Sequence, residues 1–203
     1  MLMRLEEQML FPRQYDVIVL DELPPASDVR RFYYPGARVD GGSDGLTIRV
    51  QPKVAESWEG VFAFWDRSRT LLEGIFSTPS EDVLCVVSAG GGYMVHADKP
   101  QWWSDVPLVP ITRVIQIVER DMLIFAGFTS LVAWGREGEM WRTKQLAWDG
   151  LQITSIDGDR IVGLGFDPIT SANVPFSVNV VTGEHEGGSS PESYEQEVLR
   201  TPR

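Results

Sequence analysis

The stretch Val114-Ile115-Gln116-Ile117-Val118, Glu119-Arg120-Asp121, Met122-Leu123-Ile124-Phe125-Ala126-Gly127-Phe128, Ser130-Leu131-Val132-Ala133-Trp134, Gly135-Arg136-Glu137-Gly138, Met140-Trp141-Arg142-Thr143-Lys144 decides how the rest of the chain is read. It alternates short apolar runs with acidic or glycine-bearing turns, which spells strand, turn, strand, strand, turn, strand. A further apolar run follows the turn Trp148-Asp149-Gly150. Four strands of that length make one antiparallel sheet, and a lone sheet cannot bury both of its faces.

Working outward, the same pattern recurs. Tyr93-Met94-Val95-His96 through Trp102-Trp103 lies over Leu131-Val132-Ala133-Trp134 through Met140-Trp141 at an offset of 38 residues, which brings Trp103 onto Trp141. The preceding strands follow, Leu84 to Ser88 over Met122 to Ala126. Acidic turn residues return at Asp82, Asp121 and Asp159, spaced 39 and 38. A third unit runs from Ile153 through Phe166 and on to Phe176–Val181, with Asp167 to Asn173 read as a longer loop between its middle strands. Asp44 would begin a fourth unit, again 38 residues before Asp82. A period near 40 built of short strands is what stacked sheets produce, because each covers its neighbour and the same apolar positions recur. The fold expected is all-β, a small or partial β-propeller of blade-like antiparallel sheets, with a β-sandwich as the alternative.

The segment Leu131 to Thr143 resembles the blade repeat of quinoprotein-type (PQQ-like) propellers. In those blades an alternating strand enters a turn ending in Gly-Glu, here Gly138-Glu139, and the next strand carries a Trp, here Trp141. Phe176 to Glu184 resembles the first half of that pattern and lacks the Trp. The resemblance spans about half the chain and implies a scaffold. It does not carry quinone chemistry, whose calcium and quinone ligands have no counterpart here, so no cofactor is expected.

Composition narrows the function classes. The chain has 203 residues, 43% of them hydrophobic and 23% charged, enough for a substantial core and too apolar for a disordered chain. A net charge of −11 argues against a nucleic-acid or anionic-membrane surface, which needs clustered Lys and Arg. Residues 1–190 are expected to form one β-rich repeat domain and 191–203 a mobile tail. Leu2, Leu5, Met9 and Leu10 suggest a short amphipathic helix over 1–14, stopped by Pro12. Asp40 to Gly45 reads as a turn rather than a calcium loop, which would need more ligands or stacked copies. No secretory or membrane-spanning segment is apparent, and a cytoplasmic location is expected.

Chemistry is sparse. The single Cys85 lies within Val83-Leu84-Cys85-Val86-Val87 and reads as a buried small hydrophobe. His96 reads as a sheet residue beside Met94 and Asp98, and His185 as a solvated turn residue between Glu184 and Glu186. Two isolated histidines with one cysteine suggest no metal centre, and no catalytic residue is assigned. Ser88-Ala89-Gly90-Gly91-Gly92 follows a strand with no lysine or helix after it, so it reads as a hairpin turn rather than a phosphate loop. Trp102 stands apart, because it has no counterpart in the next repeat. It lies with Gln101 and Asp105 in the long segment Ala97–Pro110, and a second long segment begins at Asp167. These four residues are the candidate binding contacts. The function expected is a non-enzymatic protein-interaction module whose loops meet a protein partner. The alternative is a carbohydrate-binding or carbohydrate-active protein using Trp102, Trp103 and nearby carboxylates.

Overall fold

The computed structural model describes residues 5–25, 29–35, 45–66 and 71–191. The first described element is a short strand, β1 (Glu6–Gln8). β2 (Tyr15–Val19), β3 (Arg30–Tyr33), β4 (Gly45–Pro52) and β5 (Trp58–Ala63) then form blade 1, in the order β2-β4-β5-β3. Blade 2 is the meander β6 (Gly74–Ser77), β7 (Val83–Ser88), β8 (Gly91–His96), β9 (Trp103–Asp105), with β1 added beside β6. Blade 3 comprises β10 (Arg113–Ile117), β11 (Met122–Ala126), β12 (Leu131–Gly135) and β13 (Gly138–Arg142). Blade 4 comprises β14 (Asp149–Asp157), β15 (Arg160–Asp167), β16 (Ala172–Asn179) and β17 (His185–Gly187).

Strand periodicity explains how the blades stack. In β7, Leu84 and Val86 face blade 1 and join Ile48, Val50, Trp58 and Phe62. Cys85 and Val87 face the other way and join Val114, Leu123, Phe125 and Val132 of blade 3. In turn Met122, Ile124 and Ala126 of β11 face Ile161, Phe176 and Val178 of blade 4. Each central strand is therefore buried on both faces, which is why it reads as an unbroken apolar run. Three cores join blades 1 to 2, 2 to 3 and 3 to 4. Among the described residues none joins blade 4 to blade 1, so the architecture is a partial propeller. A sandwich would hold two sheets around one core, and the described residues form four sheets around three.

The turns follow the repeat. Asp82, Asp121 and Asp159 all sit between the first and second strands of their blades. Gly138 and Gly183 both have positive φ, +119° and +74°, as the Gly-Glu turns require. Gly183 serves a second end: a Cβ there would lie 2.7 Å from the Trp141 ring. Ser88 and Gly91 pair across the tight turn Ala89-Gly90, so the glycine-rich segment is a hairpin.

Several expectations are corrected. Glu6–Gln8 is a strand paired in parallel with Gly74–Phe76, not part of a helix. The apolar spacing there serves two cores in an extended chain, with Leu5 and Met9 against the blade 1–2 core and Phe11 in the blade 2–3 core. The segment Asp167 to Asn173 is not a long loop. Asp167 pairs directly with Ala172, and β15 and β16 run eight residues each. Trp103 and Trp141 do occupy the fourth strands of adjacent blades, but only Trp141 is buried, 8% exposed against 37%. Trp141 donates its indole N–H to the Val180 carbonyl of blade 4 at 2.9 Å. Trp103 instead stands edge-on to Tyr34 of the blade 1 side, 5.7 Å between ring centres. Blade 1 departs from the meander, because β3 runs parallel to β5 at the sheet edge. It is fixed there by Arg31 and Arg49, both 2.7 Å from the fully buried Glu59 carboxylate. Residues 40–44 and 192–203, on which the Asp40 turn and the tail were placed, lie outside the described residues.

Candidate functional site

A depression lies between blades 2 and 3. Blade 2 supplies its first turn, the end of β8 and the segment Gln101–Ser104, and blade 3 supplies the β12–β13 turn, Trp134 to Gly138. The cavity holds about 520 Å³. Met94, Trp102, Trp103 and Trp134 give it apolar and aromatic walls, while His96, Gln101, Arg136 and Glu137 place polar groups among them. Ser80 ties the two walls together by donating to the Arg136 carbonyl at 3.1 Å.

Trp102 is held ready at this groove. Its backbone N–H donates to the Lys99 carbonyl at 2.8 Å, and its carbonyl accepts the His96 N–H at 3.0 Å. The indole is 56% exposed. The Lys99 ammonium sits 4.7 Å above the ring centre and the His96 ring meets it edge-on at 5.8 Å. An exposed indole fixed on both sides loses little side-chain freedom when something packs against it.

Of the sequence-derived candidates, Trp102 and Gln101 share this groove. Asp105 does not. It ends β9 and lines a separate depression with Trp65, Tyr93, Val106 and Leu108. Asp167 is on blade 4, far along the chain's order, and is buried at 6% exposure. Its carboxylate accepts the Thr170 hydroxyl at 2.6 Å, the Thr170 N–H at 3.0 Å and the Ser189 hydroxyl at 2.7 Å. Those hydrogen bonds, Thr170 first and then Ser189, pull its pKa down to about 2. Asp167 holds a turn where an exposed loop contact was expected. Cys85 is fully buried, and burial pushes its thiol pKa up, away from reactivity.

Sequence reasoning missed Trp134, Arg136 and Glu137 as groove residues, because they belong to the neighbouring blade. It also missed a grouping beside the groove. Asp82, His96 and Asp98 each offer one ligand atom, and the three atoms lie within 4.8 Å of one another. The register that pairs Val83 with His96 brings Asp82 to them.

No family model matches the chain, and no curated protein matches it. Among solved structures it is similar to the N-terminal domain of Nup159, at 12% identity and a TM-score of 0.37, over 95% of this chain and 56% of that one. The chain thus spans little more than half the length of that structure. The architecture stands on the blades and cores themselves.

Proposed function

We propose that this protein is a non-enzymatic binding module that takes a segment of a protein partner in the groove between blades 2 and 3. The observation that carries this reading is the exposed, pre-positioned Trp102 beside Trp103 and Trp134. Aromatic anchors at the mouth of an apolar groove are where protein interfaces concentrate their binding energy. Gln101, Arg136 and Glu137 at the margin suit the hydrogen-bonding rim of such an interface. The net charge of −11 favours the approach of a basic partner.

A peptide-display selection and a glycan array, each run with the parent and with Trp102→Ala, test it. Selected peptides are expected to bind the parent and to lose about 2 kcal/mol or more with Trp102→Ala. The variant's denaturation midpoint should correspond to within about 0.5 kcal/mol of the parent, as for a surface substitution. Glycan binding without peptide binding would establish the carbohydrate alternative, since three tryptophans also suit a sugar face. Peptides indifferent to Trp102 would place the contact surface elsewhere.

A further inference from the structure

We propose that Asp82, His96 and Asp98 form a site for a divalent transition-metal ion at the edge of the blade 2–3 groove. The three residues come from two places in one hairpin. Asp82 precedes β7, while His96 closes β8 and Asp98 follows it. The backbone between the latter two is fixed from both sides, since the Ala97 N–H donates to the Asp82 carbonyl at 2.7 Å and the Ala97 carbonyl accepts the Trp58 indole N–H at 2.6 Å. The backbone that carries His96 and Asp98 is therefore set by blade 2 and by its packing on blade 1.

Two unpartnered atoms point to an ion. His96 Nδ1 and Asp98 Oδ1 are both sealed from solvent and have no hydrogen-bond partner. Buried polar atoms without partners are costly, and a cation would satisfy both. His96 Nδ1 also stands 3.5 Å from Asp82 Oδ2. With bonds of about 2.0–2.1 Å, two ligand atoms at a tetrahedral angle stand roughly 3.4 Å apart. That spacing suits two ligands of one metal as well as it suits a His96–Asp82 ion pair.

The donor set selects the metal class. One imidazole and two carboxylates suit Zn²⁺, Co²⁺, Ni²⁺ or Fe²⁺, whereas Ca²⁺ and Mg²⁺ favour all-oxygen shells of six or more ligands. Two carboxylates neutralise a dication, and Lys99, 3.8 Å from Asp98 Oδ2, occupies the other carboxylate oxygen. Three protein ligands leave at least one coordination position for an outside group. The assignment is independent of whether the groove takes a peptide.

Tag-free protein, stripped with chelator and dialysed, should be titrated with Zn²⁺ by calorimetry and with Co²⁺ by absorption. One equivalent is expected to bind, and Zn²⁺ is expected to raise the melting temperature. His96→Gln and Asp98→Asn, both at partly exposed positions, should each weaken binding at least tenfold. His185→Gln, on blade 4, should leave it unchanged. The site is overturned if the parent binds no equivalent, if both His96→Gln and Asp98→Asn retain parental affinity, or if binding is lost with His185→Gln.

Discussion

Three tryptophans show how neighbours decide what an aromatic residue does. Trp58 and Trp141 each send an indole N–H to a backbone carbonyl of the following blade, those of Ala97 and Val180. Trp103 makes no such bond and remains partly exposed beside Tyr34 and Tyr93. Trp141→Ala is therefore expected to cost about 3–5 kcal/mol, since it removes packing under Gly183 as well as the inter-blade hydrogen bond. Trp103→Ala should cost clearly less. Urea denaturation of the two variants checks the order, and equal costs would return Trp103 to the role its repeat position suggests.

At the scale of elements, the β15–β16 hairpin depends on one carboxylate. Asp167 closes its own turn through Thr170 and ties in Ser189 from beyond β17. Asp167→Asn is expected to destabilise the protein by about 2 kcal/mol at pH 7, the scale of hydrogen bonds to a charged group. The folded pKa of about 2 lies below the ordinary 3.8, so this contribution is complete above pH about 4 and disappears as pH falls through 2. The difference between parent and Asp167→Asn should shrink across that same window in acid denaturation. Local hairpins such as β11–β12 were legible in the sequence because their strand period and turn residues lie within a few positions of each other. The Asp167 turn was not, because its polar residues read as loop until cross-strand pairing is known. The placement of β1 beside β6 and of β3 beside β5 was hidden for the same reason, each depending on a partner more than 20 residues away. Trp102 was legible as a tryptophan without a counterpart in the next repeat. Arg136 and Glu137 were not, since only blade stacking brings them across from it, and Asp82 joined His96 only through strand register.

For the whole molecule, stability is distributed along one axis. Among the described residues, blades 2 and 3 are covered on both faces, whereas each end blade carries a single core, blade 1 as well as blade 4. In blade 4, β15 alternates buried Ile161 with half-buried Val162, Leu164 and Phe166 on the outer face. Arrays in which each unit touches only its neighbours lose structure from the less covered ends. Hydrogen exchange is expected to be slowest in β7 and β11 and markedly faster in β14 and β17. Uniform protection across all four blades would show instead that the array opens only as one unit.

The pairing of β1 with β6 bears on how this protein meets mechanical force. The Glu6 N–H donates to the Glu73 carbonyl at 3.0 Å, and Glu6 to Gln8 align with Gly74 to Phe76. The chain thus leaves β1, builds all of blade 1, and comes back to the place it left. Tension entering ahead of Glu6 crosses directly into β6, and blade 1 hangs off that line as an untensioned loop. Because the two strands run parallel, a pull on β1 against the chain beyond β6 slides them past each other. Their hydrogen bonds then resist together rather than opening one at a time like a zipper. The three residue pairs act together with the bonds just beyond them, Phe11 N–H to Ser77 Oγ at 2.9 Å and Gln14 N–H to the Glu81 carbonyl at 2.8 Å, and blade 1 feels the pull only once this whole seam has slipped.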